Sequence, residues 1–389
     1  MIFVIIAALL FSLVHSLPFI DRKNQIRTRF LLRKLSSFLS IVVMALLIFS
    51  PTKTWGKTIN IVEVVPPDQS DYTVSGELRQ IDKASDVALK KVKKLFPNCD
   101  LKLKKVIKRG NEAVLIETIS SLAKSAKLGD EIIVGLSRSS FARVAAKASV
   151  GTHLEAISIG ASTTQLATIN PNFLSIVSPW QFQWQALKEV FASDGCKNPL
   201  GYFDPMDHLS TNFKNSFESD FGKVKSRDLS SFMVDDLKNE KCAFIAVSFS
   251  TAQPVISKIV RENNKFLVYG IGDWNYYSSE VKKILSSATK PKTVVKSPTG
   301  WDSKANSRSR EFSQNILHEI GEVAQPVSAY TYDATLLGAY RLCENTKINT
   351  SHLPKVSKLQ LLRDYTGIAS SGNLESKMFI VEFSGKDVK

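Results

Sequence analysis

The sequence predicts an α/β protein with two Rossmann-like lobes, each a parallel sheet between helices, joined by a multi-segment hinge. Three observations carry this expectation. Short Ile- and Val-rich runs without polar alternation recur along the chain, as suits strands buried on both faces. Stretches of helical length separate them, which implies right-handed crossovers between parallel strands. The alternation also runs through two successive series in 389 residues, too long for one ordinary core.

In chain order, the first series places strands at Ile59–Val65, Leu101–Ile107, Ile132–Leu136 and Ala156–Ile159. Helices are expected between and after them, at Glu77–Phe96, Glu112–Leu128 and Phe141–Ser149. The second series begins after "NFLSIVSPW" (172–180), with a helix at Gln181–Ser193, a strand at Leu200–Phe203 and a helix near Leu209–Phe221. It continues with strand "CAFIAVSF" (242–249), helix Ala252–Glu262, strand "KFLVYGIGD" (265–273), helix Glu280–Ser287 and strand "KTVVKS" (292–297). The polar, Pro- and Gly-bearing stretch "SPTGWDSKANSRSR" (297–310) reads as a crossing between lobes. Helices at Arg310–Glu322, Ser328–Asn345 and Val356–Tyr365 follow, and the strand "MFIVEF" closes the chain. Crossings near 178, 300 and 350 divide it into a leader at 1–56, lobe 1 at 57–177 plus 301–350, and lobe 2 at 178–300 plus 351–389.

A hydrophobic fraction of 44% and a charged fraction of 22% are those of a globular chain. The formal charge of +15 is partly a leader effect, since Arg22, Lys23, Arg27, Arg29, Arg33, Lys34 and Lys53 there oppose Asp21 alone. Further on, the lysines scatter over solvated faces without the aromatic interleaving of a nucleic-acid groove, so no nucleic-acid partner is expected. Within the leader, "RTRFLLRK", the apolar run Phe38–Phe49 and "SPTKTWGK" have the layout of a secretory signal peptide. That run is shorter than the roughly 20 apolar residues a membrane span needs. Export to the periplasm or outside the cell, with cleavage near 50–57, is the expectation. Cys99, Cys196, Cys242 and Cys343 lack zinc spacing; they stand either as two disulfides in one of three pairings or as buried thiols.

The most informative stretch is "EIIVGLSRSSFARVAAKA" (131–148), a buried strand, a small polar turn and a helix. It has neither the glycines nor the Lys-Ser pair of a phosphate loop, and no G-x-G-x-x-G follows the first strand. No nucleotide cofactor is expected. Gly135-x-Ser137-x-Ser139 approaches the G-x-S-x-G nucleophile elbow, with Asp273 or Asp302 and then His318 in hydrolase chain order. Ser139 stands where the elbow needs glycine, however, and His318 lies in a helical pattern. A serine hydrolase using Ser137 therefore stays as an alternative. Ser139 or Ser140 suits a helix N-cap, and the amides beyond it favour an anionic oxygen. A second turn, Gly160-Ala161-Ser162-Thr163-Thr164, ends the next strand. Two neighbouring hydroxyl-bearing turns make a polar shelf at the carboxyl edge of a sheet, where α/β proteins bind ligands.

These residues resemble a family. "EIIVGLSRSSFARVAAKASVGTHLEAISIGASTTQL" is similar to the stretch of type I periplasmic binding proteins, of the leucine/isoleucine/valine-binding kind, in which a glycine and a serine cluster precede "I-S-x-x-A-[ST]". Gly135 and Ile157-Ser158 keep that separation without a gap. "FLSIVSPWQFQWQAL" looks like the family's crossing, "YTYDATLLGAYRL" like its Tyr-Asp-Ala helix, and "YTGIASSGNLE" loosely like its terminal pattern. The resemblance covers roughly 57–389. It implies a non-enzymatic monomer that closes on a small polar ligand, an amino acid or related metabolite, and delivers it to the permease of an ABC transporter, without a cofactor or metal. It also implies ligand contacts at Ser139, Ser140, Gly160, Ala161 and Ser162 on the first shelf. Asp273 falls where an acid takes the ligand's amino group, and His208 and Ser250 fall where the family has aromatic residues. Tyr72 and Trp180 are candidate aromatic walls. Because His208 and Ser250 replace aromatics, a leucine-type pocket is not reproduced. A ligand-sensing domain of a receptor system is the other alternative.

Overall fold

The computed structural model describes residues 56–65, 71–127, 129–162, 165–262, 264–287, 292–346 and 359–385; for residues 71–75, 238 and 239 it describes the backbone only. The leader and its signal peptide lie outside these residues, as does the crossing expected near 350.

The first apolar run forms strand β1 (Lys57–Val65), and its burial explains the lack of polar alternation. Ile59 and Ile61 join one core with Ile132, Val134 and Ile157. Val62 and Val64, on the opposite face, join another with Ile133 and Ala156. With both faces covered, the usual hydrophobic-in, polar-out pattern has no solvent side to report. The remaining strands are β2 (Leu101–Arg109), β3 (Glu131–Gly135), β4 (Glu155–Ser158) and β5 (Phe173–Ser175). They stand in the order β2-β1-β3-β4-β5, and every pairing is parallel. Helices α1 (Asp71–Leu95), α2 (Glu112–Ser125) and α3 (Ser139–Ala148) supply the crossovers.

The second sheet draws on β6 (Leu200–Phe203), β7 (Ser226–Asp228), β8 (Cys242–Ile245), β9 (Leu267–Tyr269), β10 (Val294–Thr299) and, from the end of the chain, β13 (Phe379–Ser384). Its order is β13-β10-β9-β8-β6-β7, with β13 antiparallel to β10. Helices α4 (Trp180–Ser193), α5 (His208–Phe221), α6 (Phe249–Arg261) and α7 (Ser278–Ser286) alternate with these strands. Their core is aromatic: Trp184, Phe191, Phe213, Phe217 and Phe244 meet mostly edge-to-face, the arrangement ring quadrupoles favour. The α/β class and its two parallel sheets thus match the reading of the sequence.

Helices α8 (Ser307–Ile320) and α9 (Pro326–Cys343) return to the first sheet. Residues 327–342 of α9 are buried on all sides, which small and apolar side chains all around the helix permit. The end of the chain departs from expectation. Of the helix expected at Val356–Tyr365, residues 356–358 lie outside the described residues, and 361–364 are irregular before β11 (Tyr365–Ile368) begins. A hairpin of β11 and β12 (Leu374–Ser376) takes the helix's place. Leu359, Leu361, Leu362 and Leu374 bury themselves in the first sheet's core. The stretch 359–376, expected with lobe 2, therefore packs with lobe 1, and the chain passes to the second sheet between β12 and β13. The three leucines at 359, 361 and 362, without helical capping signals, are drawn into the first sheet's core and do not form a helix.

Two disulfides decide the cysteine question. Cys99–Cys343, with Cα atoms 5.7 Å apart, ties the loop after α1 to the end of α9. Cys196–Cys242, at 6.2 Å, ties the loop after α4 to β8. Each staples a different core, and a loop as long as the first, 244 residues, is where cross-linking constrains the unfolded chain most.

Asp333 of α9 organises the crossing segments. Its carboxylate accepts from the backbone of Leu362 at 2.7 Å and of Arg363 at 3.3 Å, from Arg363 Nε at 3.4 Å and from the Tyr365 hydroxyl at 3.0 Å. Arg363, only 5% exposed, donates on to the Ile176 carbonyl at 2.6 Å and lies 4.3 Å over the Tyr330 ring. Removing one member of a buried ion pair costs about 3–5 kcal/mol because the other charge is left uncompensated. Arg363→Met should therefore destabilise the chain by that amount in urea unfolding, and Arg363→Met/Asp333→Asn should recover much of it. A loss below about 1 kcal/mol in the single variant would deny the pair this role.

Candidate functional site

The strand-end turns of the first sheet are held by each other. Gly135 at the end of β3 has φ 139°, and a Cβ there would lie 2.2 Å from the Val62 carbonyl oxygen. At Gly160 a Cβ would sit 1.6 Å from the Ser137 carbonyl oxygen, so the two turns touch backbone to backbone. Ser158 stitches them: its hydroxyl donates to the Leu136 carbonyl at 2.9 Å and accepts from the amides of Gly160 and Ala161 at 3.3 and 3.1 Å. The shelf anticipated from the sequence exists because glycine and serine allow this approach.

The N-cap of α3 is Arg138, not Ser139 or Ser140, and no side chain caps it. The first-turn amides, which have no intrahelical acceptors, therefore remain unoccupied by a cap. Ser139, in that turn, reaches only the Gly160 carbonyl, at 3.5 Å, the long limit for a hydrogen bond. Ser140 is exposed. Both border a cleft of about 1420 Å³ between the two sheets, together with Arg138, Gly160 and Ser162. Ala161 does not reach it. The residue is fully buried, its amide held by Ser158 and its carbonyl by Asn373 Nδ2 at 2.7 Å, so the expected contact there is withdrawn.

From the second sheet, His208, Ser248, Ser250 and Asp273 border the same cleft. His208, the exposed first residue of α5, pairs with Asn212 at 3.2 Å. Ser250, in the first turn of α6, is exposed and 3.0 Å from the Ser248 hydroxyl. Trp180 borders the cleft too and packs edge-on against Phe213 at 5.4 Å. Tyr72 lies in the first turn of α1, where the side chain is outside the described residues. Asp273 Oδ2 accepts the first amide of α6, from Phe249, at 3.2 Å. Its Oδ1 is shut off from solvent and makes no hydrogen bond.

Glu63 and Glu77 were not anticipated. Glu63, 3% exposed at the end of β1, accepts from the Ser137 amide at 3.0 Å and from its hydroxyl at 3.1 Å. Burial, and after it the neighbouring Glu77, pushes its carboxyl from 4.5 to about 8. Glu77 of α1 borders the cleft; burial raises it as well, against the opposing pull of Arg138 and of the Ser137 hydroxyl. Asp273 is pushed from 3.8 to about 8 by burial, with Asp207 adding to it and Phe249 N–H and Arg138 opposing. A carboxyl inside the apolar run "INIVEVV" was the one signal that could have exposed Glu63. The elbow does not form around a nucleophile. The positive φ, 59°, falls on Leu136, Ser137 is tied to Glu63, and His318 is exposed on α8 and outside the cleft lining.

No family model matches the sequence, and no curated protein matches it. Solved structures with the same fold do. An ABC transporter substrate-binding protein from Desulfitobacterium hafniense, in complex with leucine, is 14% identical, with 84% of this chain and 97% of that one aligned at a TM-score of 0.61. The branched-chain amino acid transporter substrate-binding protein LivJ from Streptococcus pneumoniae, in complex with isoleucine, is 11% identical over 85% and 96%, at 0.64. An ABC transporter solute-binding protein from R. palustris, in complex with benzoate, is 13% identical over 84% and 93%, at 0.60. The fold is that of the type I periplasmic binding proteins, as the resemblance implied.

The raised carboxyls make stability depend on pH. Between about 4.5 and 8 the folded chain keeps on Glu63 a proton that the unfolded chain releases. Stability is then greatest below that window, falls as pH rises through it and levels off above. Denaturant titrations across the window should show this slope, and Glu63→Gln should flatten it; an unchanged slope would place the proton elsewhere. Gly160→Ala should lower the melting temperature by several degrees in a differential scanning experiment, since its Cβ meets backbone, not a mobile side chain.

Proposed function

We propose that the chain is a solute-binding protein whose lobes close on a small polar ligand, an amino acid or related metabolite, and present it to the permease of an ABC transporter. One observation carries this reading. The uncapped first turn of α3, with Ser139 and Ser140, and Asp273, whose buried Oδ1 has no partner among the described residues, border one cleft from opposite sheets. The helix turn suits an anionic end, and the carboxyl oxygen suits a cationic one. Contacts from both sides stabilise a closed state only when ligand is present, so closure reports occupancy. The ligands of the similar structures, leucine, isoleucine and benzoate, differ widely, which fits a fold whose pocket residues set the cargo. Export after cleavage of the leader, a monomeric state and a lobe 1 enlarged by residues 359–376 belong to the same proposal, as does binding without catalysis.

Thermal-shift screening of amino acids and related metabolites tests it. A stabilising ligand should appear, and Ser140→Ala or Asp273→Ala should each weaken it by tenfold or more, about 1.4 kcal/mol. A ligand whose affinity both variants leave intact would defeat the site assignment.

A further inference from the structure

Four carboxyls border the cleft, Glu77, Asp207, Asp273 and Glu375, against two guanidiniums, Arg138 and Arg143, and Asp207 is already engaged by the first amides of α5. Asp273 comes from the second sheet, with a buried oxygen that no group among the described residues serves. Glu77 comes from α1 on the first sheet and borders the same cleft. Behind it Glu63 is already engaged by Ser137. Arg138 acts electrostatically on all three and enters no ion pair among the described residues, so the acids still outnumber the guanidiniums of the cleft. Arg138 is itself the N-cap residue of α3 and borders the cleft, so its guanidinium suits a ligand carboxylate. An α-amino group at Asp273 and a carboxylate at Arg138 and α3 leave Glu77 without a counter-charge, and a half-buried carboxylate without one is costly.

We infer that the ligand is a basic amino acid, with one carboxylate and two cationic groups, and that Glu77 receives the side-chain cation. The inference rests on the solute-binding reading and adds to it the ligand class and one specificity-determining residue. Apolar and aromatic side chains that would select a leucine side chain are absent at His208 and Ser250, whereas Glu77 offers a pole that no neutral amino acid uses. The charged and titratable groups around Glu77 are Glu63 from β1 and Arg138 from the turn after β3. From the second sheet's side, Tyr276 and Tyr277 feel both Glu77 and Asp273. Both phenols are raised by burial, Tyr277 to about 12, and stay neutral at physiological pH. A ligand cation favours the ionised carboxyls, so binding should release protons near neutrality, and affinity should rise with pH until Glu77 and Asp273 are fully ionised.

Isothermal titration of the mature chain with L-lysine, L-ornithine, L-arginine, L-leucine and L-norleucine decides it. Norleucine matches the carbon skeleton of lysine but lacks the terminal amine. A basic amino acid should bind at least about tenfold more tightly than norleucine. Glu77→Gln should abolish that preference while leaving norleucine within about twofold, and paired buffers of different ionisation enthalpy should reveal greater proton release with lysine than with norleucine, a difference that Glu77→Gln removes. If norleucine or leucine binds as tightly as the basic amino acids, in a manner sensitive to Asp273→Ala, the inference fails and the solute-binding reading stands. If a basic amino acid is preferred but Glu77→Gln keeps the preference, the role of Glu77 is overturned. If none of the five binds, the inference fails, and the wider metabolite screen decides the solute-binding reading separately.

Discussion

The contact between Asp333 and Arg363 holds together the places where the chain leaves one sheet for the other. Asp333 lies at the middle of a helix buried on every side, and its carboxylate orders the backbone from Leu362 to Tyr365. Arg363 extends that order to Ile176, on the first crossing, and covers Tyr330, whose hydroxyl receives the Gly300 amide on the second. Asn373 and Ser376 secure the third by bonding Val177 and Ser178. A polar network of this depth is favourable only when nearly every member is satisfied. One pair of charges thus fixes two crossings, and Asn373 and Ser376 a third, about which any movement of the sheets would have to occur.

The cleft depends on a different economy of space. Gly160 and Ser158 let two strand ends meet backbone to backbone, and no side chain among the described residues caps the first turn of α3. Carboxyls collect around that turn instead of phosphate-binding amides or a nucleophile's partners. Ser137, which from its neighbours resembled a nucleophile, holds Glu63. Burial keeps these acids protonated further up the pH scale than is usual.

Much of the architecture was legible because periodicity is local. Strand β6 falls where its apolar run does, and most other strands and helices lie within a few residues of theirs. The expected helix at Val356–Tyr365 does not form because Leu359, Leu361 and Leu362, which reach back to the first core, carry no record of their distant partners. The short strand β7, Ser226–Asp228, was missed for a related reason, since three polar residues join the sheet only through the β6 edge beside them. At the site, the serine shelf, His208, Ser250 and Asp273 were found by motif and resemblance, and all but Ala161 border the cleft. Glu77 was not found, because nothing in a helical acid's neighbourhood tells whether it faces solvent or another lobe.

The sequence by itself determined the class: alternating strands and helices, two series of them, hydroxyl-rich turns at two strand ends and an even set of cysteines. Each of these is written in residues a few positions apart. Tertiary structure alone decided which cysteines pair, which residue begins α3, where the chain returns to its second sheet and which acids share Arg138. Those depend on groups brought together across as many as 244 positions, and burial, which sets both their partners and their charge, exists only once the chain has folded.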